Sequence, residues 1–207
     1  MILYSYWRSS AAYRARIALA WKGIDYEVRP VDIRAGAHRE AAYLSVNPQG
    51  LLPYLIDGDV ALSQSLAIIE YLEELYPEPA LLPKTPAARA KVRAAAAVVA
   101  CDIHPINNSR VLAYLKAELG QDQPAVDRWI AHWIGGGFAV LEASAGAPYL
   151  FGDSVTIADL CLVPQFYNAR RFGVDLSAFP KLIAVERNLL ALPAFAAAHP
   201  DKQPDAD

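Results

Sequence analysis

No apolar run in the 207-residue chain approaches the roughly 18 to 20 residues that a membrane span needs. The opening MILYSYWRSS lacks the charged and apolar regions of a secretory leader, so a cytoplasmic protein with no membrane partner is expected. Cysteine is scarce: Cys101 and Cys161 are too few for a disulfide framework and suit a reducing compartment. Positive charge is not in excess either. A formal net charge of -3 and a pI near 5.8 leave no basic face for a phosphate backbone, which excludes nucleic acid as an expected partner. Small anions would need local arginines. No second closely spaced Cys/His pair accompanies Cys101 and His104, so no metal site is expected. Gly135, Gly136 and Gly137 have neither a preceding strand nor a following Lys-Ser/Thr, which excludes a phosphate loop and points to a helix break or close helix packing.

What is present is a 55% apolar chain rich in alanine, a mix that suits packed helices. Ile2–Tyr6 reads as a strand, and AAYRARIALAWKG after it as a helix with Ser9 or Ser10 as cap and Gly23 as terminator. Tyr26–Ile33 reads as a strand, placed at an edge by Pro30, and His38–Ser45 as a short helix. Leu51–Ile56, the turn at Asp57–Asp59 and Val60–Leu62 read as a hairpin. A helix then starts at Gln64 and Ser65, carries Leu66, Ile69, Leu72 and Tyr76 on one side, and stops at Pro77. The order is β-α-β-α-β-β-α. Pro77, Pro79, Pro83 and Pro86 have linker composition, placing domains at 1–83 and 87–207.

Beyond the linker, helices are expected over about 87–119, kinked by Pro105, then 124–145, 157–172 and 180–198. Thr156 and Asp159 resemble a capping box, with Val155 and Leu160 as a hydrophobic staple. Trp129 and Trp133, four residues apart, read as core. Arg14, Arg16 and Arg170 read as surface residues.

The segments YWRSSAAYRARIAL, NPQGLLPYL, QSLAIIEYLEE, CDIHPINN and TIADLCLVPQ, in this order, resemble the zeta class of the glutathione transferases, in particular bacterial maleylacetoacetate isomerases. That resemblance covers essentially the whole chain. It implies an α/β thioredoxin-like first domain with Pro53 cis, an all-α second domain, a homodimer and glutathione as cofactor. It further implies glutathione contacts at Ser9, Ser10, Ala11, His38, Gln49, Leu52 and Pro53, with Gln64 and Ser65 on the γ-glutamyl carboxylate. From the second domain come His104, Asn108, Ser109 and Arg110, some of them reaching across a dimer interface.

Disulfide exchange is excluded, because Ser9-Ser10-Ala11-Ala12 stands where redox relatives of the fold carry Cys-x-x-Cys. A hydroxyl beside a helix N-terminus remains, a place that favours an anion such as a thiolate. Lowering a thiol pKa of about 8.5 by about two units corresponds to about 2.7 kcal/mol. Animal and plant members of the class usually show Ser-Ser-Cys here, whereas this chain has Ala11, so Ser9 becomes the principal candidate, with Ser10 and Arg8 beside it. Arg8, His104, Arg110 and Arg171 are the candidate contacts to a small dicarboxylic keto acid, arginine being suited to bidentate grip on carboxylates.

The implied reaction is reversible thiolate addition to maleylacetoacetate, rotation about the former double bond and expulsion to give fumarylacetoacetate. Maleylpyruvate isomerisation, general transferase or dehalogenase chemistry, and glutathione binding without catalysis remain as alternatives.

Overall fold

The computed structural model describes residues 1–207. They divide into two compact units, Met1–Ala80 with Leu192–Asp207, and Leu81–Ala191.

In the first unit, β1 (Ile2–Ser5) leads through α1 (Ser10–Trp21) to β2 (Glu27–Pro30), which pairs with β1 in parallel. A short helix α2 (Ala41–Leu44) precedes the hairpin of β3 (Tyr54–Asp57) and β4 (Val60–Ser63), and α3 (Ser65–Leu75) follows. The sheet order is β2-β1-β3-β4, with β3 antiparallel to both neighbours. Pro30 therefore lies on an edge strand, where its missing N–H costs no ladder bond. Leu3, Ile17, Leu55, Ile68, Ile69 and Leu72 fill the core. The buried side of α3 is Ser65, Ile68, Ile69, Leu72 and Glu73, so Tyr76 is exposed instead of sharing that face.

The sequence boundaries 1–83 and 87–207 need one correction. The helix expected over 180–198 is two helices, α8 (Pro180–Leu190) and α9 (Pro193–Ala198), because Leu192 adopts the extended backbone favoured before proline. The second of them returns to the first unit. The hydroxyl of Tyr13 donates to the Phe195 carbonyl at 3.4 Å, and Arg16 Nε donates to the Ala198 carbonyl at 3.2 Å.

The second unit is helical. After α4 (Pro86–Ala97) the chain makes a π-helical turn (Val98–Ile103) and stops; it does not run kinked through Pro105. α5 (Ser109–Ala117) begins afresh with Asn108 as cap, its side chain accepting from Arg110 N at 3.1 Å. α6 (Gln123–Ser144) and α7 (Ile157–Arg171) follow, α7 being buried along nearly its full length. Phe138 lies 4.7 Å from Phe166 and 5.6 Å from Phe179, ring centre to ring centre. Trp133 is 37% exposed and Trp129 half-buried, so this pair is not core; Trp129 Nε1 donates to the Ile106 carbonyl at 3.2 Å.

The three glycines lie inside α6 without breaking it. A Cβ on Gly137 would sit 2.3 Å from Ile103 Cδ1 and 2.4 Å from its Cγ1, whereas one on Gly136 would meet nothing within 4 Å. Only Gly137 is required by packing. Gly136→Ala is expected to stabilise the fold by roughly 0.5–1 kcal/mol through helix propensity. Gly137→Ala should destabilise it by about 1–3 kcal/mol, because buried Ile103 must move. Denaturant unfolding of the two variants should therefore give midpoint shifts of opposite sign.

Candidate active site

In the first unit the site is built from three chain turns. At the end of β1 the chain passes Tyr6, Trp7 and Arg8 and enters α1 at Ser9. Ser9 is the N-cap: its Oγ accepts from Ala12 N at 3.2 Å, and its carbonyl accepts from Tyr13 N at 2.8 Å. The cap bond uses an oxygen lone pair and leaves the hydroxyl proton available to donate. Ser9 is half-buried and Ser10 is 4% exposed, so Ser9 is the more accessible hydroxyl. Ala11, at the next position, is half-buried and carries no polar group. Arg8 stacks its guanidinium 4.6 Å from the Trp7 ring centre.

The second turn is the NPQGLLP segment, whose residue types now have physical roles. Buried Asn47 accepts from Gln49 N at 3.1 Å through Oδ1 and donates to the Leu51 carbonyl at 2.8 Å through Nδ2. Tyr43 donates to the same carbonyl at 2.6 Å, and burial pushes its phenol pKa up to about 12, keeping it a donor. Gly50 has φ 62, and a Cβ there would lie 3.0 Å from the His38 carbonyl. Only glycine allows this approach. Leu52 and Pro53 follow, both buried, with a cis bond between them as the resemblance implies. His38 sits in the single turn Ala37–Arg39, with Nδ1 buried and lacking a hydrogen-bond partner. Burial, with Arg39 next to it, holds its pKa below 6.5, so it meets a ligand as a neutral hydrogen-bonding group near pH 7.

The third turn opens α3. Gln64 has φ 70, an outlier for a residue with a Cβ, of a kind that costs of order 1–3 kcal/mol and persists where the surroundings impose it. Its Nε2 donates to Gln49 Oε1 at 3.1 Å, joining the second turn to the third. Ser65 is 6% exposed, and its Oγ accepts from Arg14 Nη1 at 3.4 Å. A guanidinium and a helix N-terminus thus favour negative charge at one spot.

Arg14 and Arg16, read from the sequence as surface residues, are 1% and 0% exposed. A signal existed: α1 is apolar on every side, and a helix apolar all round takes its few polar residues inside with it. Arg170 does reach solvent and pairs with Glu186.

The second unit groups His104 at the end of the π-helical turn with Asn108, Ser109 and Arg110 at the start of α5; Ser109 and Arg110 are exposed. Arg171 ends α7, apart from that group in sequence, with its guanidinium 4.8 Å from the Phe172 ring centre. Cys101 is exposed and Cys161 buried, both as thiols.

The residues of the first unit fit glutathione. Two serine hydroxyls keep a proton to donate at two helix N-termini, an arginine lies behind one of them, and His38 Nδ1 waits for a partner. These groups match the charges of a thiolate and carboxylates.

Comparison with known proteins agrees. The model for the glutathione S-transferase N-terminal domain matches residues 1–74, and that for the C-terminal domain matches residues 137–193. A maleylacetoacetate isomerase of Pseudomonas aeruginosa is 51% identical over 99% of this chain and 98% of its own. The holo structure of a maleylpyruvate isomerase, described as a bacterial zeta-class glutathione S-transferase, superposes with TM-score 0.97 at 47% identity over 100% of both chains. Maleylacetoacetate isomerase from Methylobacterium extorquens, solved with malonate and glutathione bound, superposes with TM-score 0.95 at 40% identity, again over 100% of both. The chain belongs to the glutathione S-transferase family, in its zeta class of maleylacetoacetate and maleylpyruvate isomerases.

Proposed function

We propose that the chain is a glutathione-dependent cis–trans isomerase converting maleylacetoacetate to fumarylacetoacetate. The observation that carries the reading is the Ser9 hydroxyl at the α1 N-terminus, whose lone pair is engaged by the helix and whose proton faces no competing role as a cap. Glutathione, when bound, supplies the thiolate that adds to the activated double bond and later leaves.

Ser9 and the free N–H groups of α1 lower the cost of that negative charge, and Ser10, Ala11 and Arg8 border it. Gln64 and Ser65, backed by Arg14, hold the γ-glutamyl carboxylate. The Leu52 backbone pairs with the cysteine part, positioned by Tyr43 and Asn47 through Leu51, with Pro53 and Gln49 completing the turn. His38 offers its neutral ring to a remaining polar group. Arg8, Arg110 and Arg171 take the carboxylates of the keto diacid, with His104, Asn108 and Ser109 as hydrogen-bonding neighbours. The malonate bound together with glutathione in the structure of the Methylobacterium relative supports a dicarboxylate as substrate. The protein acts as a cytoplasmic homodimer; two cysteines outside any disulfide suit a reducing compartment.

Maleylpyruvate is the second reading, supported by the likeness to a maleylpyruvate isomerase at TM-score 0.97. Purified protein should isomerise maleylacetoacetate in the presence of glutathione, more slowly maleylpyruvate, and neither without glutathione. A reversed preference would favour the second reading, and inactivity on both would overturn the isomerase function.

A further inference from the structure

We propose that Arg16 and Asp205 are positioning residues that hold the loop before Ser9 in register with the bound thiol. The idea rests on the thiolate role of Ser9 given above. Between the end of β1 at Ser5 and the start of α1, Tyr6 and Trp7 are 6% and 7% exposed, yet their peptide groups belong to no strand or helix. Buried peptide groups need partners. The carbonyl of Tyr6 accepts from Arg16 Nη1 at 3.3 Å and from Ser9 N at 2.9 Å. The N–H of the same peptide unit, that of Trp7, donates to Asp205 Oδ2 at 3.0 Å. One peptide is gripped at both ends.

The next carbonyl, that of Trp7, accepts from Arg16 Nη2 at 2.9 Å, and Ser5 Oγ accepts from Nη1 at 3.0 Å. Arg16 is 0% exposed and lies on α1, so the guanidinium fork ties the loop to the same helix whose N-terminus Ser9 caps. Its Nε donates to the Ala198 carbonyl at 3.2 Å, fastening the segment that carries Asp205. Asp207 of that segment forms an ion pair with Arg34. The Trp7 ring, fixed through its backbone, is the surface on which Arg8 stacks. Ser9 and Arg8 thus both take their direction from a peptide that Arg16 and Asp205, 10 and 198 positions away in sequence, hold still.

A purely structural role and a positioning role predict different results for Asp205, which is half-buried and can be changed without opening the core. Asp205→Ala should leave the thermal midpoint close to that of the parent. Without glutathione it should speed amide exchange of Trp7 by at least about tenfold, as expected for losing the acceptor of a buried N–H. With glutathione, thiolate absorbance should show the bound thiol titrating higher, and turnover should fall about tenfold, since sub-ångström displacement of a reacting group is enough for such a loss. Asp205→Asn keeps an acceptor oxygen and should restore all three readouts. Arg16→Lys, with one donor centre in place of three, should raise the bound-thiol titration further; should it fail to fold, the Asp205 pair still decides.

Faster Trp7 exchange with an unchanged thiol titration and unchanged turnover would overturn the proposal. So would losses that Asp205→Asn does not restore. A parent protein that binds glutathione without lowering its thiol pKa would instead refute the role of Ser9, a distinct failure.

Discussion

A Ser9→Ala variant is expected to turn substrate over about 100-fold more slowly than the parent, while its glutathione Kd changes by less than about tenfold. The asymmetry follows from what the hydroxyl touches. Its acceptor side is committed to Ala12 N, so the interaction lost toward the ligand is donation of one proton to a developing or resident anion. In the binding mode proposed above, glutathione keeps its contacts at Gln64, Ser65 and the Leu52 backbone, so affinity should depend on them more than on ionisation. Losing the cap should also destabilise α1 by about 1 kcal/mol. The two effects can be separated with Ser9→Asp, which restores the cap but removes the donor and adds a charge that repels thiolate. That variant should recover the thermal midpoint and stay as slow as the alanine variant. Steady-state kinetics at saturating glutathione, with thermal unfolding, measures both. Turnover at the parent level in Ser9→Ala would transfer the role to Ser10 or to backbone N–H groups of α1.

Asp159→Ala should cause the largest loss of stability, about 3 kcal/mol or more, visible as a fall in the thermal midpoint and in the denaturant midpoint. Asp159 is 0% exposed and accepts from Thr156 N at 2.8 Å, Thr156 Oγ at 2.7 Å and Leu150 N at 2.9 Å. Alanine removes the acceptor of two buried backbone N–H groups, that of Leu150 and that of Thr156, the N-cap of α7, the helix around which the second unit packs. Burial pushes the Asp159 carboxyl above its ordinary 3.8 despite these donors. The folded state therefore holds this proton more tightly than the unfolded state does. Its contribution is greatest below the unfolded pKa and declines as pH rises through the folded one, so this residue does not drive acid unfolding. A midpoint for Asp159→Ala within about 1 °C of the parent would refute its role as a cap.

These two residues were legible in the sequence because their signals are local: serine before an apolar periodic run, and Thr156 three residues ahead of Asp159. The strand and helix order of the first unit was legible for the same reason, each boundary carrying its own glycine, proline or cap. Asn47 and Gly50 could be quoted as part of a motif, but their work, fixing the Leu51 carbonyl and letting the chain pass His38, required coordinates. The groups that let Arg14 and Arg16 be buried are not legible in the sequence, because a charge on a helix says nothing local about which carbonyl or hydroxyl will neutralise it. Their acceptors lie on other elements, Ala198 being 182 positions away. Pro105 kinks a helix only where the helix is otherwise supported on both sides. Here Asn108 supplies a fresh cap three residues later, and two helices are favoured over one bent helix.

The return of Leu192–Asp207 to the first unit sets a condition on synthesis. When residues 1–80 leave the ribosome, Arg16 lacks the Ala198 carbonyl, Tyr13 lacks the Phe195 carbonyl and the Trp7 N–H lacks Asp205. The nascent first half must wait, with a charged side chain in its interior partly unmatched, until the whole second unit has been translated. Leu81–Ala191, contiguous in sequence, is free of that delay and can complete its packing first. The order of domain completion is then the reverse of the order of translation, and the part that carries Ser9 is the last to become native.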